Sequence, residues 1–541
     1  MAALHVSIHG TRPVRTCLSA SAHPGAAAVF LGALLTCAGE SRGQFVINYV
    51  IDPQEAEVAF PSQARREKMY EAVATTKKFF ERVLAESNAT VNIPLRWREP
   101  PNNLALASTS SGDRSYPWPL VLNWLRSTAN AAGELLEPNS ETAIYDALPP
   151  SSIPFVWEPG DAPASPRLAT LVTITYPQAL QIRPGFTPPP QEDEFDIIFQ
   201  PEGGFFRYQF YDGVVLRNRY RFTATLVHET MHALGFISSG DDTNVPQAIT
   251  LMDVYRFGQS GLPASFSGAT RELRPGVEAF FATRIGATSA QGAYSMSTGR
   301  RAGGDTNQTS HFKAAQLLPP PNTPIGIMDP NATNLADITP SSRLGRATRA
   351  DMNALDLLGW VLNPAVVNLN IGQVAPTPLT PVADASVRVK CPLFTWEDTQ
   401  TNSETYSINI FEVDPSVAED VPDPLSFSKI EGMSFCLPSG VVLAPGEYWW
   451  ELVGMGPISI AGYSAGYQKF TVLCPADFAG PGQSPVPDGQ LTADDIITFL
   501  NLFFAGNLEA DVAGPGQSTT PDGAFTADDI IKFLNNFFAG C

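Results

Sequence analysis

Cysteine and histidine are nearly missing from the body of this chain: each occurs six times in 541 residues. No cysteine lies between Gly39 and Lys390, which excludes a thiolate metal ligand or a thiol nucleophile there. Beyond the N-terminal stretch only Cys391, Cys436, Cys474 and Cys541 remain, all in the last third. A pair such as Cys391–Cys436 suits a disulfide in an oxidising compartment, although spacing does not assign connectivity. Basic charge is also short. The chain has 34 Lys and Arg against 54 Asp and Glu, a formal net charge of −20, and no basic stretch stands out. Nucleic acid is therefore a poor partner. The one long apolar run, "GAAAVFLGALLTCAG", has only 15 residues and is too short to span a bilayer. It follows Arg12 and Arg15 and precedes Glu40 and Arg42, the layout of a signal peptide over residues 1–43, with cleavage expected between Ala38 and Gln44. An exported protein without a transmembrane segment is expected. Export would remove His5, His9 and His23, leaving His228, His232 and His311 as the whole histidine content.

What is present is modular. The 48 prolines and 42 glycines indicate many loops and at least part β structure. "QFVINYVID" reads as a strand and "SQARREKMYEAVATTKKFFERVLAE" as an amphipathic helix; "TVNIPLRWRE", "LATLVTITY" and "FDIIFQP" return to strand patterning. These elements, with a closing helix in "RADMNALDLLGW", predict an α+β lobe over 44–363. A proline-rich linker, 364–377, follows. Period-two segments such as "YSINIFEV" and "GEYWWELVG" then predict an all-β sandwich over 378–473, fibronectin- or immunoglobulin-like, with Trp396 and Trp449 in its core. Residues 475–541 contain a duplication: "ADFAGPGQSPVPDGQLTADDIITFLNLFFAG" recurs 34 residues later, and nine carboxylates there face a single Lys532.

The chemistry is concentrated in "TLVHETMHALGF". On a helix, residues four apart share a face, so His228 and His232 offer two nitrogens to one cation, with Glu229 beside them as a base. A catalytic zinc ordinarily takes three protein ligands and keeps one position open. His311 is the remaining histidine; Glu272, Glu278, Asp241 and Asp242 are alternatives as the third ligand.

"HETMHALGF" resembles the zinc helix of metzincin peptidases, with Gly235 at the glycine where that chain turns away. The short form of the family motif would place a histidine where this chain has Ser238. Leishmanolysin-like members insert a long segment instead, and "GGDTNQTSHFKAAQ" would supply His311 after 78 intervening residues. "IGIMDPNA" resembles the methionine-containing turn of the family, with Met328 beneath the metal. The resemblance spans about residues 44–363. It implies a zinc-dependent endopeptidase acting on protein or peptide, with Glu229 as general base and His228, His232 and His311 as ligands.

In the acidic repeat, Asp488, Gly489, Thr492 and Asp495 fit positions 5, 6, 9 and 12 of an EF-hand-type loop, and Asp522, Gly523, Thr526 and Asp529 repeat the fit. Asp477 and Asp511 would serve as first ligands across an insertion. The paired loop–helix units and the Gly540-Cys541 ending resemble dockerin domains of the GC type. That resemblance implies Ca²⁺ binding and a cell-surface or sorting partner for the exported enzyme. On this reading Asp495→Ala plus Asp529→Ala should abolish any calcium response. Two rival classes use the same features: a non-catalytic adhesion protein on a zincin scaffold, and a carbohydrate-active enzyme carrying a dockerin.

Overall fold

The computed structural model describes residues 44–540, apart from 86, 88, 99–106, 111, 133–140, 188–195, 203–206, 215, 217–218, 259–265, 289–291, 320–323, 331–346, 364–374, 389–391, 400–402, 419, 439, 457–462 and 519–521. The expected signal peptide and its cleavage point, most of the linker, Cys391 and Cys541 lie outside the described residues. Among the described residues no helix is long and apolar enough to cross a membrane.

The architecture is mixed α/β, with several separate sheets and no closed barrel among the described residues. One apolar core runs from Phe45 to Leu362, a second from Phe394 to Val472, and a third fills the tail from Cys474 to Phe537. All three cores lie within one compact unit, Arg42–Cys541.

In the first module, strands Val46–Ile51, Thr90–Trp97 and Asp196–Phe199 pair in parallel, and Ala107–Ser110 adds antiparallel at the edge. The helix Gln63–Val83 buries Met69, Val73, Thr76, Phe80 and Val83, a helical spacing that fixes its inner face. It packs against the helix Phe222–Ala233, which carries the HExxH motif and also lies against the edge strand. "LATLVTITY" divides: Leu171–Thr175 is a strand, and Tyr176 opens the helix Tyr176–Ile182. Thr175 and Gln178 form a reciprocal capping box that starts this helix. A six-stranded sheet completes the module and ends in Ala293–Met296, just before the segment that carries His311.

The second module has a three-stranded sheet facing a five-stranded one. Strand Thr377–Thr380 lies at the edge of the smaller sheet and pairs with Leu393–Glu397, an edge position being one where a proline such as Pro378 is tolerated. Trp396 is buried as expected, but Trp450 rather than Trp449 enters the core, because successive strand residues point to opposite faces. Trp449 packs instead on a small apolar patch formed with Leu216 of the first module, Phe411 and Val421. Cys474 is disulfide-bonded, while Cys436, given above only as an example of a partner for Cys391, is an exposed thiol.

The tail is two loop–helix units. Helices Ala493–Phe504 and Ala527–Ala539 meet through Phe499 and Phe533, equivalent residues of the two copies, whose rings stack at 4.0 Å with planes 3° apart.

Candidate metal centre

All twelve residues of the motif helix are buried. Apolar Phe222, Leu226, Val227 and Met231 pack in the core, while Thr230 is accommodated by two hydrogen bonds: its hydroxyl donates to the Leu226 carbonyl and lies 2.9 Å from the Tyr49 hydroxyl. The helix stops at Leu234, and Gly235 takes φ +112°, a region open mainly to glycine. A Cβ at Gly235 would lie 2.2 Å from the Gln178 amide, so the residue is also required by close packing.

His228 and His232 each place Nδ1 against a carbonyl: Ile327 O at 2.8 Å and Phe236 O at 2.6 Å. A carbonyl only accepts, so both Nδ1 atoms carry the proton and both Nε2 atoms carry a lone pair. His311 brings its own Nε2 to 2.9 Å from that of His228 and 3.3 Å from that of His232. Three nitrogens about 2.0–2.1 Å from a single tetrahedral ion lie about 3.3 Å apart, so the spacing fits zinc. Among the described residues, this trio is the one group of three or more His, Cys, Asp or Glu whose ligand atoms lie within 4.8 Å of one another.

Protons do not resolve the clash of lone pairs. Burial pushes the His228 imidazole down to about 4, with the Ile327 carbonyl opposing. Burial and then the neighbouring His228 push His232 to about 3. His311 is driven well below its usual value by burial, then by His232 and His228. Its Nδ1 is buried without a hydrogen-bond partner. Neutral imidazoles converging on one point are a donor set that could hold a cation.

Glu229 is buried beside them. Burial pushes its carboxyl up to about 7, opposed by a hydrogen bond from Thr109. The Thr109 hydroxyl lies 2.7 Å from Glu229 Oε2 and 2.9 Å from Glu229 O. A dication at the three nitrogens would favour the ionised carboxylate and offset the effect of burial.

The third nitrogen is held by backbone. Ser297 N–H donates to His311 O at 3.0 Å, and Phe312 N–H donates to Met328 O at 3.0 Å. Met328 is fully buried in this same small assembly. Its own N–H and that of Ile327 donate to the Asp351 carboxylate, which also caps the helix Arg349–Leu357 with Thr348. One buried carboxylate thus fixes the turn whose carbonyl orients His228.

The alternative ligands are engaged elsewhere. Glu272 pairs with Arg274 at 2.6 Å, and exposed Glu278 lies 3.8 Å from Lys313. Asp241 accepts from Thr309 N at 2.6 Å and from Arg300 N, so it shapes the loop that presents His311. Asp242 is exposed and outside the trio; desolvation, then Asp253 and Asp241, raise its carboxyl to about 6. Ser238 donates to fully buried Asp253. Arg256, also fully buried, donates to the carbonyls of Glu272, Thr309 and Ser297. Thr109, Asp253 and Arg256 carry no signal in the sequence, and Asp241 stands out there only as an alternative metal ligand; Asp351 has a local signal, the capping spacing Thr348-x-x-Asp351.

The candidate calcium residues of the tail are engaged in different ways. Thr492 and Thr526 are helix N-caps, and Asp495 and Asp529 are their capping-box partners. Asp495 Oδ1 also accepts from Phe478 N and Ala479 N, and Asp529 Oδ1 from Val512 N and Ala513 N. These four residues staple helix to loop, an engagement that the EF-hand spacing alone did not indicate. Asp488 and Asp522 are exposed and accept from Gln490 N and Ala524 N. Asp477 and Asp511 differ. Each accepts a glycine N–H at 2.6 Å through Oδ2 and keeps Oδ1 buried without a partner.

No protein-family model matches the chain, and no curated protein matches it.

Proposed function

We propose that this chain is an exported zinc-dependent endopeptidase of the metzincin type, in which His228, His232 and His311 hold the metal. The observation carrying this reading is the approach of three Nε2 atoms to within 2.9–3.3 Å, two of them with Nδ1 committed to carbonyls. Zinc in that position would supply a Lewis acid to polarise a peptide carbonyl and acidify a water. Glu229, adjacent to His228 in the sequence, accepts a proton and returns it to the leaving amine. Thr109 holds the Glu229 carboxylate at 2.7 Å, so the base is oriented before substrate arrives. The Ile327 and Phe236 carbonyls keep the two helix histidines in the ligating tautomer.

Casein digestion by the purified full chain tests the assignment. It should stop on treatment with a chelator and return with one equivalent of zinc. A protein that binds zinc but leaves casein intact would instead be the adhesion protein on a zincin scaffold.

For the tail we propose Ca²⁺ at the two loops, supported by the unpartnered Oδ1 atoms of Asp477 and Asp511, and a cell-surface or sorting partner. Calcium should slow hydrogen exchange over 475–540 in the full chain. At a hundredfold excess over the dissociation constant, it should stabilise each site by about 2.7 kcal/mol. Asp477→Asn with Asp511→Asn should remove that response. Asp495→Ala should instead loosen the tail with or without calcium, since each buried donor left unpaired costs on the order of 1–3 kcal/mol. An unchanged calcium response in the Asp477/Asp511 variant would rule out these loops as the site.

A further inference from the structure

A charged residue of the β-sandwich reaches into the loop that delivers the motif helix. Glu451, midway along strand Gly446–Met455, is fully buried. Its Oε1 accepts from Val214 N at 2.7 Å and its Oε2 from Asn409 Nδ2 at 3.0 Å. The same Asn409 amide donates to Asp212 O at 2.7 Å. Gly213, at φ +137°, is pressed so close that a Cβ there would lie 2.2 Å from Glu451 Oε2. Two sandwich side chains thus hold three consecutive residues of the first module.

The motif helix begins eight residues after Val214, at Phe222. The guanidinium of buried Arg221 donates to Gly213 O, and Arg221 is the N-cap residue of Phe222–Ala233, without a side-chain cap of its own. From inside the module, Gln209 donates to the carbonyls of Tyr211 and Val214. Arg219 ties the following residues to the sandwich through Val421 O at 2.8 Å and Asp423 at 3.1 Å, and Arg65 on the helix Gln63–Val83 binds the same Asp423. Glu451 and Asp212 face each other's surroundings with Arg221 as the common cation; burial pushes them up to about 7 and about 6, and Arg221 opposes both shifts. A flexible tether would need none of this buried polar matching.

We propose that Glu451 is a positioning residue for the metal centre, fixing the start of the motif helix through the 212–214 turn and Arg221. The sandwich is then a working part of the metallopeptidase rather than a separately tethered module. This rests on the metal reading above, so the test carries one readout that needs no metal.

Glu451→Ala, Glu451→Gln and Asn409→Ala are made in the full chain. Amide exchange within Phe222–Ala233 is followed without metal, and affinity and visible spectrum are measured with Co²⁺ as the probe. Networks of this kind shift coupling by factors between about two and thirty. Glu451→Ala should speed exchange in the motif helix, weaken Co²⁺ within that range and alter its ligand-field bands. Glu451→Gln, which keeps an acceptor for Val214 N, should recover most of both. Asn409→Ala, with the carboxylate intact, decides the matter if Glu451→Ala does not fold. Unchanged helix exchange and unchanged Co²⁺ affinity and spectrum would overturn the proposal, whatever happens to the melting temperature. If the wild-type chain fails to bind Co²⁺, the metal assignment falls and helix exchange alone decides the role of Glu451.

Discussion

Glu229→Gln should keep the fold and the metal while proteolysis falls by roughly two to four orders of magnitude, the usual contribution of a positioned acid–base group. The substitution preserves volume in a fully packed helix, and the amide oxygen still accepts from Thr109, 2.7 Å from the present carboxylate oxygen. None of the three imidazoles uses Glu229 as a partner; Nδ1 of His228 and of His232 is committed to Ile327 O and Phe236 O. What disappears is the ability to take a proton and hand it back. Initial rates on casein, with zinc content measured on the same sample, check this. Wild-type rates in a zinc-loaded Glu229→Gln protein would mean that another group performs the hydrolysis.

His311→Ala should cost more in metal affinity than the ~10–100-fold typical of an outer-shell change, because it removes one of three ligands. The fold should persist, since the segment is held by backbone: Ser297 N to His311 O, and Phe312 N to Met328 O. The imidazole itself contributes an unpartnered Nδ1 to the interior, so its loss leaves no donor stranded. Glu278→Ala and Asp242→Ala should leave zinc affinity unchanged, as neither carboxylate belongs to the trio. Competition against a chromophoric chelator ranks the three variants. If Asp242→Ala or Glu278→Ala lost zinc while His311→Ala kept it, the third ligand would have been misassigned.

What the sequence reveals depends on the range of the interaction. The helix bearing His228 and His232 was visible because four-residue spacing is a local property, and His311 stood out because the chain past its N-terminal stretch has no other histidine. Gly235 was legible as a turn. Its close contact with Gln178, 57 positions earlier, was not. Thr109 lies 120 residues from Glu229 on a four-residue strand, and nothing in "ASTS" marks it as a neighbour. Asp241, Asp253 and Arg256 act through hydrogen bonds to loop backbone, which no periodicity reports. The tail shows a different limit. Thr-x-x-Asp satisfies both an EF-hand spacing and a helix capping box, and the capping box is formed at Thr492 and Thr526. Trp449 and Trp450 were separated only by strand phase, since both belong to the same apolar run. The assignment of Glu451 to the first module's loop required knowing how the sandwich sits, which sequence patterning does not carry.

The central claim is that three imidazoles of this chain hold one zinc ion. X-ray absorption at the zinc edge, on the full chain loaded with one equivalent, tests it most directly. The expected shell has three imidazole nitrogens and one oxygen at about 2.0–2.1 Å and no sulfur, and it loses one imidazole in His311→Ala. A wild-type shell with fewer than three imidazoles, or one that His311→Ala leaves untouched, would contradict it.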